Sequence, residues 1–149
     1  MPAQAWITLV GAMLALAAFV VGLAGTARDR VRQTEDFYLK RYWDLLAQLP
    51  MDGLPTSGGA GRRAIRQYID LCEDELTLRE RGQVSWATWQ DWREGMVDGF
   101  SPGPVRDEWS ALAARTAFGH RHLRQLIGDE RYDPCEKNWW VRRWRNLGP

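Results

Sequence analysis

The chain has 149 residues, with 20 lysines and arginines balanced by 19 aspartates and glutamates, and its mean hydropathy is slightly negative. This length fits one small folded unit and excludes two domains of ordinary size. The balanced charge excludes a strongly basic nucleic-acid binder and an acidic disordered tail. Cys72 and Cys135 are too few for a disulfide framework, and we expect both thiols to be buried and reduced.

The first predicted element is a transmembrane anchor over residues 1–27. Residues 5–27 carry no charge, and at about 1.5 Å per residue this run crosses a hydrocarbon core of about 30 Å. A cleaved signal peptide is the alternative, but the absence of basic residues before the run and its length favour a retained anchor. Arg28, Arg30 and Arg32 follow directly, so the positive-inside rule predicts an external N-terminus and a cytoplasmic body.

Small residues recur along one face of this predicted span. Gly11, Ala15, Ala18, Gly22 and Gly25 follow one another at intervals of four and three residues, which places them on one side of a helix. Small side chains let another helix approach closely in lipid, where the hydrophobic effect does not drive helices together. We predict that this small-residue stripe packs against a partner helix or a second copy. The alternative is the general abundance of Ala and Gly in membrane helices.

The anchor is predicted to continue into a helical extension over residues 28–49. No Pro or Gly interrupts it, and Val31, Tyr38 and Leu45 fall near one heptad face. Residues 50–61 then contain two prolines and four glycines. This composition predicts a loop.

Residues 62–149 are predicted to form a Trp-rich helical bundle. A helix that starts near Arg62 carries Cys72 on its apolar face and ends near Gly82. Ser85 is a suitable N-cap for the next helix. That helix carries three tryptophans, interpreted as core residues or, alternatively, as a cytoplasmic docking surface: Trp86, Trp89 and Trp92.

Two further helices complete the predicted bundle. Apolar residues at intervals of four and three after Val105 predict a fourth helix that ends at Gly128. Asp133 precedes a proline and an acidic residue, which predicts that a fifth helix starts there and reaches about Leu147. Because no run alternates in the manner of a strand, the predicted fold class is all-α: a single N-terminal transmembrane helix that continues into a small cytoplasmic helical bundle.

The last predicted helix combines aromatic and basic side chains. Its candidate residues for contact with a membrane surface or a partner are Trp139, Trp140, Arg142, Arg143, Trp144 and Arg145. Aromatic rings interleaved with guanidinium groups suit the headgroup layer of an anionic membrane. The alternative is that Trp140, Trp144 and Leu147 close the bundle while the arginines are solvated. The basic footprint is too small to favour single-stranded nucleic acid.

The sequence contains no coherent catalytic constellation. His120 and His122 would point in directions about 200° apart on a helix, so they are interpreted as polar surface residues and not as ligands of one metal ion. The acidic residues 73–75 and Glu80 are interpreted as a solvated face in which Arg79 and Arg81 lie within reach of a helical pair with Glu75. We therefore predict no enzymatic activity, no metal and no cofactor.

Four segments suggest a family resemblance: 38–46 (YLKRYWDLL), 68–75 (YIDLCEDE), 82–84 (GQV) and 86–92 (WATWQDW). Over about residues 30–97 the chain resembles a bacterial family of small membrane-anchored helical proteins of unknown function. The resemblance implies the same architecture in the bacterial cytoplasmic membrane, and it carries no activity.

The sequence thus predicts a non-catalytic accessory or scaffold subunit of a membrane protein complex, with the stripe against partner helices and the Trp-rich body against a partner's cytoplasmic face. The alternative is a self-associating, membrane-tethered regulator or adaptor that recruits a soluble partner. The expected partners are membrane protein subunits. Anionic lipid and a second copy of the chain are further candidates, and nucleic acid is not expected.

Overall fold

A computed structural model describes residues 3–47, 59–115 and 119–148. The described residues contain helices and no strand, which confirms the predicted all-α class. The helices are α1 (Ala3–Leu46), α2 (Gly59–Glu80), α3 (Trp86–Gly99), α4 (Pro104–Arg115), α5 (Arg121–Gly128) and α6 (Trp139–Trp144). Residues 50–58 of the predicted loop 50–61 lie outside the described residues. Residues 59–61 belong to α2 and not to a loop.

Helix α1 is continuous over 44 residues, or about 66 Å at the usual rise, so the predicted continuation of the N-terminal helix beyond residue 28 is confirmed as far as Leu46. Within it, residues Ala12–Leu45 form a candidate membrane span by length and composition, and large apolar side chains such as Leu16 and Phe19 are exposed near its start. Its second half packs on the body. Val31 and Leu45 are buried, and the ring of Tyr38 lies 6.3 Å from that of Trp92 between centroids.

Helix α2 is the centre of the body, because α1, α4 and α5 all pack against it. Its predicted apolar face, which includes Ile69, Cys72 and Leu76, is buried. The core also contains Trp89 and Met96 of α3. Burial of a full apolar side chain contributes about 1.5–3 kcal/mol, so this face of α2 is what holds the bundle together.

The predicted boundary between α2 and α3 is confirmed. Gly82 follows α2 with a φ of 69°, and a Cβ there would lie 2.9 Å from Cδ1 of Leu147. Both the positive φ and the close approach favour glycine. Ser85 is the N-cap of α3, where its hydroxyl accepts a hydrogen bond from the backbone N–H of Thr88.

The prediction of one fourth helix up to Gly128 is wrong. Helix α4 ends at Arg115, residues 116–118 are not described, and α5 begins after His120, whose φ of 56° lies in the left-handed region. The first N–H groups of α5 are capped from another helix. The carboxylate of Glu73 accepts hydrogen bonds from the backbone N–H groups of His122 and Leu123, at 3.2 and 2.9 Å. This tertiary cap stabilises a new helix start.

The predicted start of the last helix at Asp133 is also wrong. Helix α6 begins after Asn138, whose side chain accepts a hydrogen bond from the backbone N–H of Val141. Asp133 accepts one from the backbone N–H of Cys135, which forms a turn, and it pairs with Arg79 and Arg142. The tertiary ion pairs therefore determine the conformation at Asp133.

Candidate functional site

The small-residue stripe lies on α1 and is open. Ala15, Ala18, Gly22 and Gly25 are exposed, and a Cβ added at either glycine would meet no atom within 4 Å. Gly11 belongs to the same helix, although its surroundings lie outside the described side chains. Another helix therefore has free access along this face.

The stripe and the body lie on opposite sides of α1. At about 100° per residue, the centre of the stripe is roughly 180° from the face that carries Val31, Tyr38 and Leu45, which packs on the body. Trp43 is exposed and lies about five turns after Gly25 on the side of the stripe. One side of α1 thus holds the body, while the other presents small residues followed by an aromatic side chain.

The tryptophans of α3 belong to the core. Trp89 is completely buried, and the half-buried Trp86 and Trp92 pack against the same core cluster. The guanidinium carbon of Arg79 lies 5.5 and 5.6 Å from the ring centroids of Trp86 and Trp89. The structure places these residues in the interior, in agreement with the core interpretation and not with a docking surface.

Helix α6 presents its tryptophans to the outside. Trp139, Trp140 and Trp144 are 57%, 67% and 45% exposed, and the rings of the first two are stacked at 3.8 Å between centroids. The alternative in which Trp140 and Trp144 close the bundle is therefore wrong. Leu147, which is completely buried, fills that role. Exposed indole rings are costly in water, and they are typical of interfaces in which one end is apolar and the other wet.

The arginines of α6 differ from one another. Arg142 is turned inward, where it donates to a carboxylate oxygen of Asp133 at 2.6 Å. Arg143 is exposed and Arg145 is half-buried. With Arg28 and Arg32 of α1, they line a cleft of about 330 Å³ between the two helices. We call this the arginine cleft; Arg28 is the first residue after the uncharged run of α1.

The interior of the body contains an ion cluster that the sequence did not reveal. The side chain of Arg79 has no exposed surface and donates two hydrogen bonds to the carboxylate of Asp133, at 2.9 and 2.8 Å. It also donates to the backbone carbonyls of Val84 and Leu147. Although burial opposes ionisation, the hydrogen bonds from Arg79 and from the Cys135 backbone hold the pKa of Asp133 below its ordinary value. The predicted solvated pairing of Arg79 with Glu75 is wrong.

The histidines are not polar surface residues at the end of a helix, so that prediction is wrong. His120 precedes α5 and is half-buried, with its Nε2 2.9 Å from the carboxylate of Asp70. His122 is buried, with Nδ1 2.7 Å from the hydroxyl of Tyr132 and Nε2 3.4 Å from the carboxylate of Glu80. Both rings therefore join α5 to its neighbours through polar contacts.

Glu75 is the functional candidate that sequence reasoning missed. Its side chain is nearly buried in a cleft of about 170 Å³, and within the described residues burial and the charges of Asp74 and Arg41, not a hydrogen bond, determine the state of the carboxyl group. The other lining residues come from α1, α2 and α3 and include Leu39, Tyr42, Tyr68, Trp92 and Met96. Burial, assisted by the negative charge of Asp74 and opposed by Arg41, raises the pKa of Glu75 to about 8. This carboxyl group therefore takes up and releases a proton near neutral pH.

A signal for this burial exists in the sequence. Tyr68, Cys72, Glu75 and Arg79 follow one another at intervals of four, three and four residues, which places the glutamate and the arginine on the apolar side of α2. Burial also raises the pKa of the Cys72 thiol well above its ordinary value. The thiol is therefore protonated and unreactive near neutral pH.

In the part of the chain that the structure describes, no group of three or more His, Cys, Asp or Glu residues is arranged to hold a metal ion. Comparisons with protein-family models, with curated proteins and with solved structures found no match to this chain. The family resemblance noted from the sequence thus stays a prediction.

Proposed function

We propose that this protein is a non-catalytic accessory or scaffold subunit of a membrane protein complex. The observation that carries the proposal is the open small-residue stripe, which faces away from the body that the same helix holds. A helix that only anchored a domain would need no such groove. In lipid, close packing along small residues is a principal source of helix association.

The proposal places the first half of α1 in the membrane, with the N-terminus outside and the body in the cytoplasm. The exposed apolar side chains of this half, among them Leu14, Leu16 and Phe19, match a lipid environment. The following arginines favour the cytoplasmic side for the body. In this arrangement the partner lies along the stripe and extends past the membrane to the exposed ring of Trp43.

The experiment compares two double variants with the same change in composition. Ala15→Leu with Ala18→Leu fills the stripe, whereas Ala12→Leu with Ala17→Leu adds the same atoms about 100–120° away from it. Each tagged protein is purified from native membranes in mild detergent, and the proteins that remain bound are identified by mass spectrometry. We expect the stripe variant to lose a stoichiometric set of membrane subunits that the matched control keeps.

The same open stripe supports a second candidate, a self-associating tethered regulator or adaptor, because a small-residue groove is complementary to its own copy. Crosslinking of a purified Gly25→Cys variant, with no other protein present, separates the two candidates. Efficient dimer formation without other proteins, together with purification of the chain alone, would replace the accessory-subunit proposal by the regulator. Equal retention of partners by both double variants would refute the stripe as the contact.

A further inference from the structure

We propose that the arginine cleft binds the headgroup phosphate of an anionic phospholipid, with Arg28 and Arg32 of α1 and Arg143 and Arg145 of α6 as its cationic walls. This inference rests on the membrane placement proposed above, but it does not depend on the stripe or on any protein partner.

The charge of the cleft is the first argument. None of the four arginines forms an ion pair with a carboxylate within the described residues. The single acidic residue among the lining residues is Glu35, and its carboxylate accepts a hydrogen bond from the backbone N–H of Ser85 at 2.6 Å. The described cleft therefore carries a formal excess of three positive charges. Guanidinium groups present planar pairs of donors that suit phosphate oxygens.

Position along α1 is the second argument. Arg28 directly follows the uncharged run, and Arg32 lies about 6 Å further along the helix axis. Lipid phosphates lie at the edge of the hydrocarbon core, where that run ends. Basic pockets on the cytoplasmic side of membrane helices are recurrent sites for anionic headgroups. A volume of about 330 Å³ leaves room for a phosphate with its glycerol.

The exposed indole rings are the third argument, and they favour a lipid over a free phosphate or a soluble acidic partner. Trp139, Trp140 and Trp144 belong to the same short helix as Arg143. Trp is enriched where hydrocarbon meets headgroups, because the ring is apolar and its N–H needs a polar partner. Helix α6 therefore combines contacts for the headgroup with contacts for the acyl-chain boundary.

The test measures lipid retention by the purified full-length protein in detergent. Native mass spectrometry counts bound molecules during titration with phosphatidylglycerol, with phosphatidylcholine or with glycerol phosphate. The cleft variant combines Arg32→Gln with Arg143→Gln, one residue from each wall. Both side chains are exposed, so the fold does not depend on them. The matched control combines Arg63→Gln with Arg131→Gln, two exposed arginines outside the cleft lining that carry the same charge change.

We expect the wild type to retain phosphatidylglycerol in preference to phosphatidylcholine. We expect the cleft variant to bind phosphatidylglycerol about 30-fold more weakly, since each surface arginine contributes about a factor of five, and the control to change less than about threefold. Equal losses in the two variants would show diffuse attraction and overturn the proposal. Binding of glycerol phosphate as tight as that of phosphatidylglycerol would also overturn it. The cleft variant leaves the small-residue stripe intact. The subunits that co-purify with this variant therefore test the proposed function independently of lipid binding.

Discussion

Replacement of Glu75 by glutamine removes a pH dependence of stability that burial of this carboxyl group imposes on the body. In the folded chain burial raises the pKa of this carboxyl group to about 8, from an ordinary value of 4.5. The protonated form is therefore favoured by folding. Its contribution to stability is fully present below pH 4.5 and is lost as the pH rises through 8, because the unfolded chain ionises first. Glutamine has no proton to lose and removes this dependence.

The magnitude follows from the two pKa values. The free energy of unfolding that ionisation removes is about 1 kcal/mol at pH 5, about 3 kcal/mol at pH 7 and about 4 kcal/mol at pH 8. The stability of Glu75→Gln relative to the wild type is therefore expected to increase by about 3 kcal/mol between pH 5 and pH 8. For a body of this size that is a rise of about 10–20 °C in the difference between the two melting temperatures.

The assay is thermal unfolding of the full chain in detergent at pH 5, 6, 7 and 8. Tryptophan fluorescence monitors the transition. Glu94→Gln is the control, because it makes the same change at an exposed position of α3, and its difference from the wild type should stay constant with pH. Contributions from Asp133 cancel, since both chains contain it. If the difference between Glu75→Gln and the wild type varies by less than about 0.5 kcal/mol over this range, the carboxyl group is solvated and burial does not raise its pKa.

Three further predictions concern the ion cluster, the closing turn and the topology. Arg79→Leu should destabilise the body by about 3–5 kcal/mol, because it leaves a half-buried carboxylate and two backbone carbonyls without their donor. Arg81→Leu, at an exposed position nearby, should change stability by less than about 0.5 kcal/mol. Similar denaturant midpoints for the two variants would contradict a stabilising ion cluster. Gly148→Ala should cost about 1–3 kcal/mol, because the new Cβ collides with the ring of Trp86 at a φ of 96°. In contrast, Gly95→Ala, with nothing within 4 Å, should stabilise α3 by about 0.5–1 kcal/mol, and the same melting experiment decides between these signs. A cysteine introduced at the exposed Ser110 should react with a membrane-impermeant maleimide only after the cells are permeabilised, whereas a cysteine at Gln4 should react in intact cells. Background labelling should be low because Cys72 and Cys135 are buried. The reverse order of labelling would invert the proposed topology.

Local signals in the sequence were sufficient for several elements. The uncharged run, the absence of Pro and Gly after it, Gly82 and Ser85 each act within a few residues of the feature they determine. Helix continuity, a positive φ and an N-cap are all short-range properties of the backbone. The long α1 and the boundary between α2 and α3 were therefore predicted correctly.

The errors occurred where a distant residue decided the local structure. The apolar spacing after Val105 continues through the end of α4, but Glu73 on α2 caps a separate α5. Asp133 has the features of an N-cap, yet its carboxylate is held by Arg79, which lies 54 positions earlier in the chain. An unpaired buried guanidinium at Arg79 would cost more than the loss of a local cap, and no local pattern shows that Asp133 is its partner.

By itself, the sequence determined an all-helical chain with one long apolar helix, a stripe of small residues and a terminal segment rich in Trp and Arg. Only the tertiary structure decided that the stripe faces away from the body, that Glu75 and Arg79 are buried, and that α6 brings Arg143 and Arg145 beside Arg28 and Arg32. The physical reason is that periodicity fixes which residues share a helix face. Which faces meet, and which charges are desolvated, depends on packing between helices that are far apart in the chain.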